Sequence, residues 1–263
     1  GKTTIFNALA PSEVGIPGSG SPSRDVKIGV AKASDPRLKA LSYMFPKGKI
    51  VQASVTYLDV PVSDESSERG IAGRHLNFLQ SVDAFLLVVR AFKDPAVAHS
   101  AGSVDPDRDA TNMMWELIFS DLAIVERSME RRTTSLKGAK ASEREAINQD
   151  LALLASVKQT LEEEKAVRDL NLTPEQEKEL SSYGLLTAKP LMVVFNIDEE
   201  NLNDTTLTSD LLFRKYDQTG VQCMAMSGKL EAELAQLQPE EQEEFRGYWG
   251  IKESGLARVI DLS

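Results

Sequence analysis

The chain opens on Gly1-Lys2-Thr3-Thr4-Ile5-Phe6-Asn7-Ala8-Leu9, and the reading of that stretch decides the fold. Gly-Lys-Thr is the tail of the pattern GxxxxGK[ST]. In that pattern backbone N–H groups cradle phosphates, the lysine neutralises the β/γ charge and the hydroxyl ligates Mg²⁺. Ile5, Phe6 and Leu9 fall at helical steps, so a helix beginning near Thr3 would aim its N-terminus at the phosphate. The alternative is an ordinary helix start of coincidental composition. The first glycine of the pattern, and the strand that should precede it, lie outside the sequence. With no initiator Met, and with Leu256–Ser263 still in helix-like pattern, the expectation is an internal piece of a longer protein that binds nucleotide poorly by itself.

Working outward, the next informative feature is Val55-Thr56-Tyr57-Leu58-Asp59, a β-branched and aromatic strand ending on a carboxylate. A phosphate-loop enzyme needs a second metal-positioning carboxylate at such a place; a strand-terminal Asp can also be a simple turn former. Ala84-Phe85-Leu86-Leu87-Val88-Val89 and Leu191-Met192-Val193-Val194-Phe195 are continuous apolar runs, as expected of strands buried on both faces. The second leads into Phe195-Asn196-Ile197-Asp198-Glu199, either a base-binding loop or a polar turn. Where a GTPase carries NKxD, the spacing here is Asn196-x-x-Glu199. The longer carboxylate is poorly placed for guanine's paired donors, which favours adenine or relaxed specificity. Ser227-Gly228-Lys229 follows the weaker strand Val221–Met226, as the last ring-supporting element of a GTPase does. Four elements in the right order, each at a strand or loop end, reinforce one another.

Between the strand runs the texture changes. Leu117, Ile118, Leu122, Val125 and Met129 recur at three- and four-residue steps, and so do Leu151, Leu154, Val157 and Leu161. Gly138 is placed to break the first helix, with Ser142 capping the second and Glu145 completing a capping box. The expected architecture is therefore α/β with a mostly parallel sheet and an inserted antiparallel helical hairpin. Its parts are 1–105, the insert 106–185, and 186–263. Residues 72–82 read as a helix, and Gly15–Ser23 as a flexible loop.

Composition bounds the function. The chain has 263 residues, 41% hydrophobic and 27% charged, enough for a sizeable core. No run approaches the ~18 apolar residues of a membrane-spanning helix. A net charge of −10 argues against a surface that is basic throughout, leaving room for a local basic patch. One cysteine, Cys223, excludes an internal disulfide and suits a cytoplasmic setting.

Longer strings carry a resemblance. GKTTIFNALA, KIGVAKASDPRLKALSYMF, SVDAFLLVVRAF, HSAGSVDPDRD, the stretch from NLTPEQEKEL through NIDEENL, and SGKLEAELAQLQPEEQEEF resemble the YchF (Obg-like ATPase) subfamily of translation-factor-class P-loop NTPases. The match spans nearly the whole chain. The resemblance implies a G domain interrupted by a helical hairpin, Mg²⁺ and ATP as ligands with ATP preferred over GTP, ribosome association, and a C-terminal TGS domain beyond Ser263. It puts Gly1, Lys2, Thr3 and Thr4 on the phosphate loop and Asp59 on the Mg²⁺ side. Asn196, Ile197 and Glu199 fall on the base-reading segment, and Ser227, Gly228 and Lys229 on the ring-supporting loop. His99 falls on a histidine proposed to assist hydrolysis, its alternative being an inert loop residue; His75 reads as structural.

Two departures stand out. The family's DIAGL is here Asp59-Val60-Pro61-Val62-Ser63, so valine replaces the glycine whose N–H would meet the γ-phosphate. The switch-I threonine has only a loose counterpart, Ser23, as a third candidate for Mg²⁺. Arg127, Arg131, Arg132, Lys137, Lys140 and Arg144 cluster towards the hairpin tip, either as a solvated surface or as a phosphate-backbone contact with RNA. Slow ATP hydrolysis is the leading expectation. Its rivals are a non-hydrolysing, nucleotide-gated ribosome- or RNA-binding switch and a helical scaffold that binds no nucleotide.

Overall fold

The computed structural model describes residues 1–10, 13–15, 26–33, 35–46, 48–61, 75–97, 99, 101–202, 216, 221–251 and 254–263. Strands β1 (Glu13–Gly15), β2 (Lys27–Lys32) and β3 (Ser54–Asp59) form one antiparallel sheet in the order β1-β2-β3. Strands β4 (Phe85–Arg90), β5 (Leu191–Asn196) and β6 (Gln222–Met226) form a second sheet, parallel throughout, with β5 in the middle. Every residue of β5 is buried, which accounts for its unbroken apolar run.

The parallel sheet is the one the apolar runs predict. The strand ending on Asp59 differs: it pairs antiparallel with β2, Lys27 opposite Asp59. No ladder joins β3 to β4 among the described strands. Helix α1 (Lys2–Leu9) packs against β2, β3 and the helix after β6. Ile5 and Leu9 reach into the core with Met192, Val194, Met224 and Met226. The approach to β2 is close. A Cβ at Gly29 would lie 2.3 Å from Ala10 Cβ and 3.1 Å from Phe6 Cζ, so glycine is required there.

Helix α2 is Pro36–Met44 and α3 is Leu76–Ser81, the described part of the helix expected over 72–82. The long pair is α4 (Pro106–Gly138) and α5 (Ala141–Glu162), followed by α6 (Pro174–Ser181). Asp105 caps α4, accepting from the Arg108 N–H at 3.1 Å, with Pro106 at the first helical position. The apolar stripes meet as their spacing requires: Ile118, Val125, Leu154, Val157 and Leu161 are buried together in one cluster. The cap of α5 corrects the sequence reading. The chain is extended at Ala139 and Lys140, so the helix starts at Ala141. Glu143, not Glu145, reaches back to the Lys140 N–H at 3.2 Å, and Ser142 sits inside the first turn. The chain finishes with α7 (Gly228–Leu234), α8 (Pro239–Trp249) and α9 (Gly255–Leu262). The loop expected over Gly15–Ser23 lies, beyond Gly15, outside the described residues. No helix among them is long and apolar enough to cross a membrane.

Candidate functional site

The first turn of α1 faces the C-terminal end of β3. Lys2 Nζ lies 3.0 Å from Asp59 Oδ1 and also donates to the Val60 carbonyl. Thr3 Oγ1 donates to Asp59 Oδ2 at 3.1 Å. Residues 56 positions apart are thus joined into one cation–hydroxyl–carboxylate cluster. Asp59 is 8% exposed, and its Oδ1 has no hydrogen bond besides the ion pair with Lys2. A hard-oxygen donor set of one hydroxyl and one carboxylate suits Mg²⁺. That ion takes one or two protein oxygens and fills its octahedron with phosphate and water. No group of three His, Cys, Asp or Glu side chains able to hold a metal occurs among the described residues, so a cation here would depend on the nucleotide for further oxygens.

A second convergence ties the end of β5 to the start of α7. Asn196, 5% exposed, accepts the Gly228 N–H through Oδ1 at 2.8 Å. A Cβ at Gly1 would lie 3.0 Å from Asn196 Nδ2, so the amide bonded to the Ser227–Lys229 loop also lies close against Gly1. Gly228 is needed for this closeness: a Cβ there would lie 2.8 Å from Ile5 Cγ1 and 3.1 Å from Asn196 Oδ1. Ser227 caps α7, its hydroxyl accepting from the Leu230 N–H at 3.4 Å. Ile197 is buried, and its N–H donates to the Met226 carbonyl at 3.0 Å, extending the β5–β6 seam into the loop. Glu199 begins a short 3-10 turn, Glu199–Asn201, and its Oε1 lies 3.1 Å from Lys229 Nζ. The ion pair holds Lys229's charge up on its exposed side chain and spans the two loops that sequence reading assigned to the base.

His99 is committed elsewhere. Its Nδ1 accepts from the Ala101 N–H at 3.1 Å and its Nε2 lies 2.9 Å from Asp109 Oδ2, which anchors it to the start of α4. Thr4, on α1 behind Lys2 and Thr3, is partly exposed. Ser23 and Val62 lie outside the described residues. His75 stands at the N-terminal end of α3 against Phe78, ring centroids 6.4 Å apart.

Arg90 is a residue the sequence reading passed over. It ends β4 opposite Asn196 and donates to the carbonyls of Phe92, Asp94 and Val97 at 3.2, 3.1 and 3.0 Å. Its guanidinium sits 4.5 Å from the Phe92 ring centroid. Asp198 Oδ2 accepts the Lys93 N–H at 3.2 Å, binding the same loop to the one that follows β5. A basic residue closing an apolar strand is the available sequence signal.

No protein-family model matches the chain. It is 31% identical over 269 residues to the ribosome-binding ATPase YchF of Bacillus subtilis, covering all of this chain and 72% of that protein. The chain belongs to the YchF family. The YchF protein of Haemophilus influenzae is 31% identical over 264 residues, covering 99% of this chain and 71% of its own length. Among solved structures, the Schizosaccharomyces pombe YchF GTPase superposes with a TM-score of 0.80 at 25% identity, over 99% of this chain and 71% of that one. The P-loop NTPase fold of the YchF family accounts for the adjacency of the Lys2–Thr3–Asp59 and Asn196–Gly228 clusters at one end of α1.

Proposed function

We propose that this chain is the nucleotide-binding part of a YchF-type ATPase, taking Mg·ATP in preference to GTP, hydrolysing it slowly and working on the ribosome in the cytoplasm. The observation that carries the reading is the grip of Lys2 and Thr3 on Asp59. Two neighbouring side chains of α1 meet a carboxylate more than fifty residues away, which supports the roles of phosphate-loop cation, metal hydroxyl and metal-side carboxylate for the three. Residues 1–105 and 186–263 would form the nucleotide-binding body, with 106–185 as the helical insert.

Lys2 and the first N–H groups of α1 would take the phosphate charge, releasing Asp59 Oδ1 from its ion pair. Thr3 Oγ1 and Asp59 would hold Mg²⁺, with Ser23 as a further ligand. The ion, when bound, neutralises charge developing on the phosphates. Asn196 keeps the two loops together, while Ile197 and Ser227 to Lys229 border the base. Glu199 selects against guanine: its longer carboxylate, drawn to Lys229, does not present the short acceptor that guanine's two donors need. For His99 a role in hydrolysis requires it to leave Asp109. The relatives' names, ribosome-binding ATPase in bacteria and GTPase in fission yeast, support the class of ligand and the ribosome as partner. Valine at position 62 favours a second reading, a nucleotide-gated switch that binds ATP without turning it over.

Phosphate release from Mg·ATP by the full-length protein tests the choice. The enzyme reading expects slow release that is lost in Lys2→Ala. Tight ATP binding with no release would instead establish the switch.

A further inference from the structure

The six basic residues that sequence reading grouped at the hairpin tip separate into two sets. Lys137, Lys140 and Arg144 flank the turn between α4 and α5. Arg127, Arg131 and Arg132 lie farther down α4, where they line an open groove of about 590 Å³ against α3. Asn77 and Gln80 of α3 form the facing wall, and Tyr183 closes one side. Among the described residues no carboxylate lines this groove, in a chain whose net charge is −10.

Glu126 turns to α5, where it lies 2.9 Å from Lys158 Nζ. Arg132 is neutralised within the fold: its Nε is 2.5 Å from the buried Asp150, which also accepts from the Tyr183 hydroxyl at 2.7 Å. Arg127 and Arg131 are exposed, and among the described residues neither guanidinium has an acidic partner. They stand one turn apart, about 6 Å along the axis, a step close to that between consecutive phosphates of an extended strand.

We propose that this groove holds the phosphate backbone of a single-stranded RNA segment, Arg127 and Arg131 each meeting one phosphate. The inference deepens the ribosome reading, on which it rests for the source of its RNA. An open groove leaves a small anion largely solvated, and two separate guanidiniums would bind it weakly. A strand running along α4 engages both at once and releases counterions from each phosphate. The Asn77 amide, on the facing wall, is available to ribose hydroxyls or bases, the kind of contact that single-stranded RNA offers.

The test is fluorescence anisotropy of labelled oligouridylate with the full-length protein across a salt series, beside ATP binding and ribosome co-sedimentation. The double variant Arg127→Ala/Arg131→Ala should weaken RNA binding and reduce the magnitude of the log–log salt slope by about 1.4, at ~0.7 per phosphate contact on a single strand. Arg127→Lys/Arg131→Lys should keep the slope, and Lys137→Ala/Lys140→Ala should change neither quantity. An unchanged slope in the alanine variant, or an equal loss from the turn lysines, overturns the proposal. So does wild-type protein that ignores RNA and is captured by phosphatidylserine vesicles through the same arginines. Groove-dependent RNA binding without ribosome co-sedimentation would support the groove and remove the ribosome as its source. Loss of RNA binding with ATP binding intact in the alanine variant would support the groove independently of the nucleotide site.

Discussion

Gly228 has no room for a side chain, and that fact concentrates the site's logic at the scale of single residues. Its N–H feeds Asn196 and its α-carbon lies against Ile5 of α1. Gly228→Ala is expected to push α1 off the loop, costing about 1–3 kcal/mol as overpacking does, and to weaken ATP affinity; denaturant unfolding and nucleotide titration would read the two effects. Asn196→Ala should resemble it for a different reason, because it strands the buried Gly228 N–H at ~1–3 kcal/mol. Some of this was legible in the sequence. The convergence of Lys2, Thr3 and Asp59 was legible, because all three fit the few residue types that phosphate and Mg²⁺ chemistry would admit. That Asn196 spends its carbonyl oxygen on Gly228 was not legible, since the partner of a buried amide depends on which loops meet. Nor was the anchoring of His99 on Asp109, a contact made by the fold and not by any motif.

Among the elements, α4 meets the segment that leads into β5 through a buried carboxylate. Asp121 is fully buried and accepts the Leu186 N–H, the Thr187 N–H and the Thr187 hydroxyl, each at 2.7 Å. Burial pushes its carboxyl up, while these three donors and the Arg168 charge pull it back. The segment continues to Lys189, whose Nζ donates to the carbonyls of Leu79, Gln80 and Val82 and so satisfies the C-terminal end of α3. Asp121→Ala leaves two buried N–H groups without an acceptor, and a loss of about 3 kcal/mol is expected at ~1–3 for each. Asp121→Asn, which keeps one acceptor, should lose less; chemical denaturation of both variants checks the ordering. The helices themselves were readable because a 3.6-residue apolar period survives in α4 and α5. Ser142 and Glu145 fit the capping-box pattern, but the extended backbone at Ala139 and Lys140 starts the helix earlier and leaves the return bond to Glu143. The arginine groove was hidden for a related reason: which face of α4 meets α3 is a matter of packing, not of spacing.

At the scale of the whole molecule, Lys2 and Thr3 reach Asp59 because α1 packs against both β3, which carries that carboxylate, and α7, which follows β6. The parallel sheet was legible as apolar runs; the antiparallel pairing of the Asp59 strand was not, because strand direction leaves no mark in a short alternating sequence. The base choice proposed for this chain rests on this larger arrangement, with Asn196, Glu199 and Lys229 drawn together from two loops. The most direct measurement is therefore competition binding of ATP against GTP to the full-length protein with Mg²⁺. The account predicts a clear ATP preference. Preferential GTP binding would contradict the role given to Glu199, and failure to bind either nucleotide would contradict the function proposed for the Lys2–Thr3–Asp59 cluster itself.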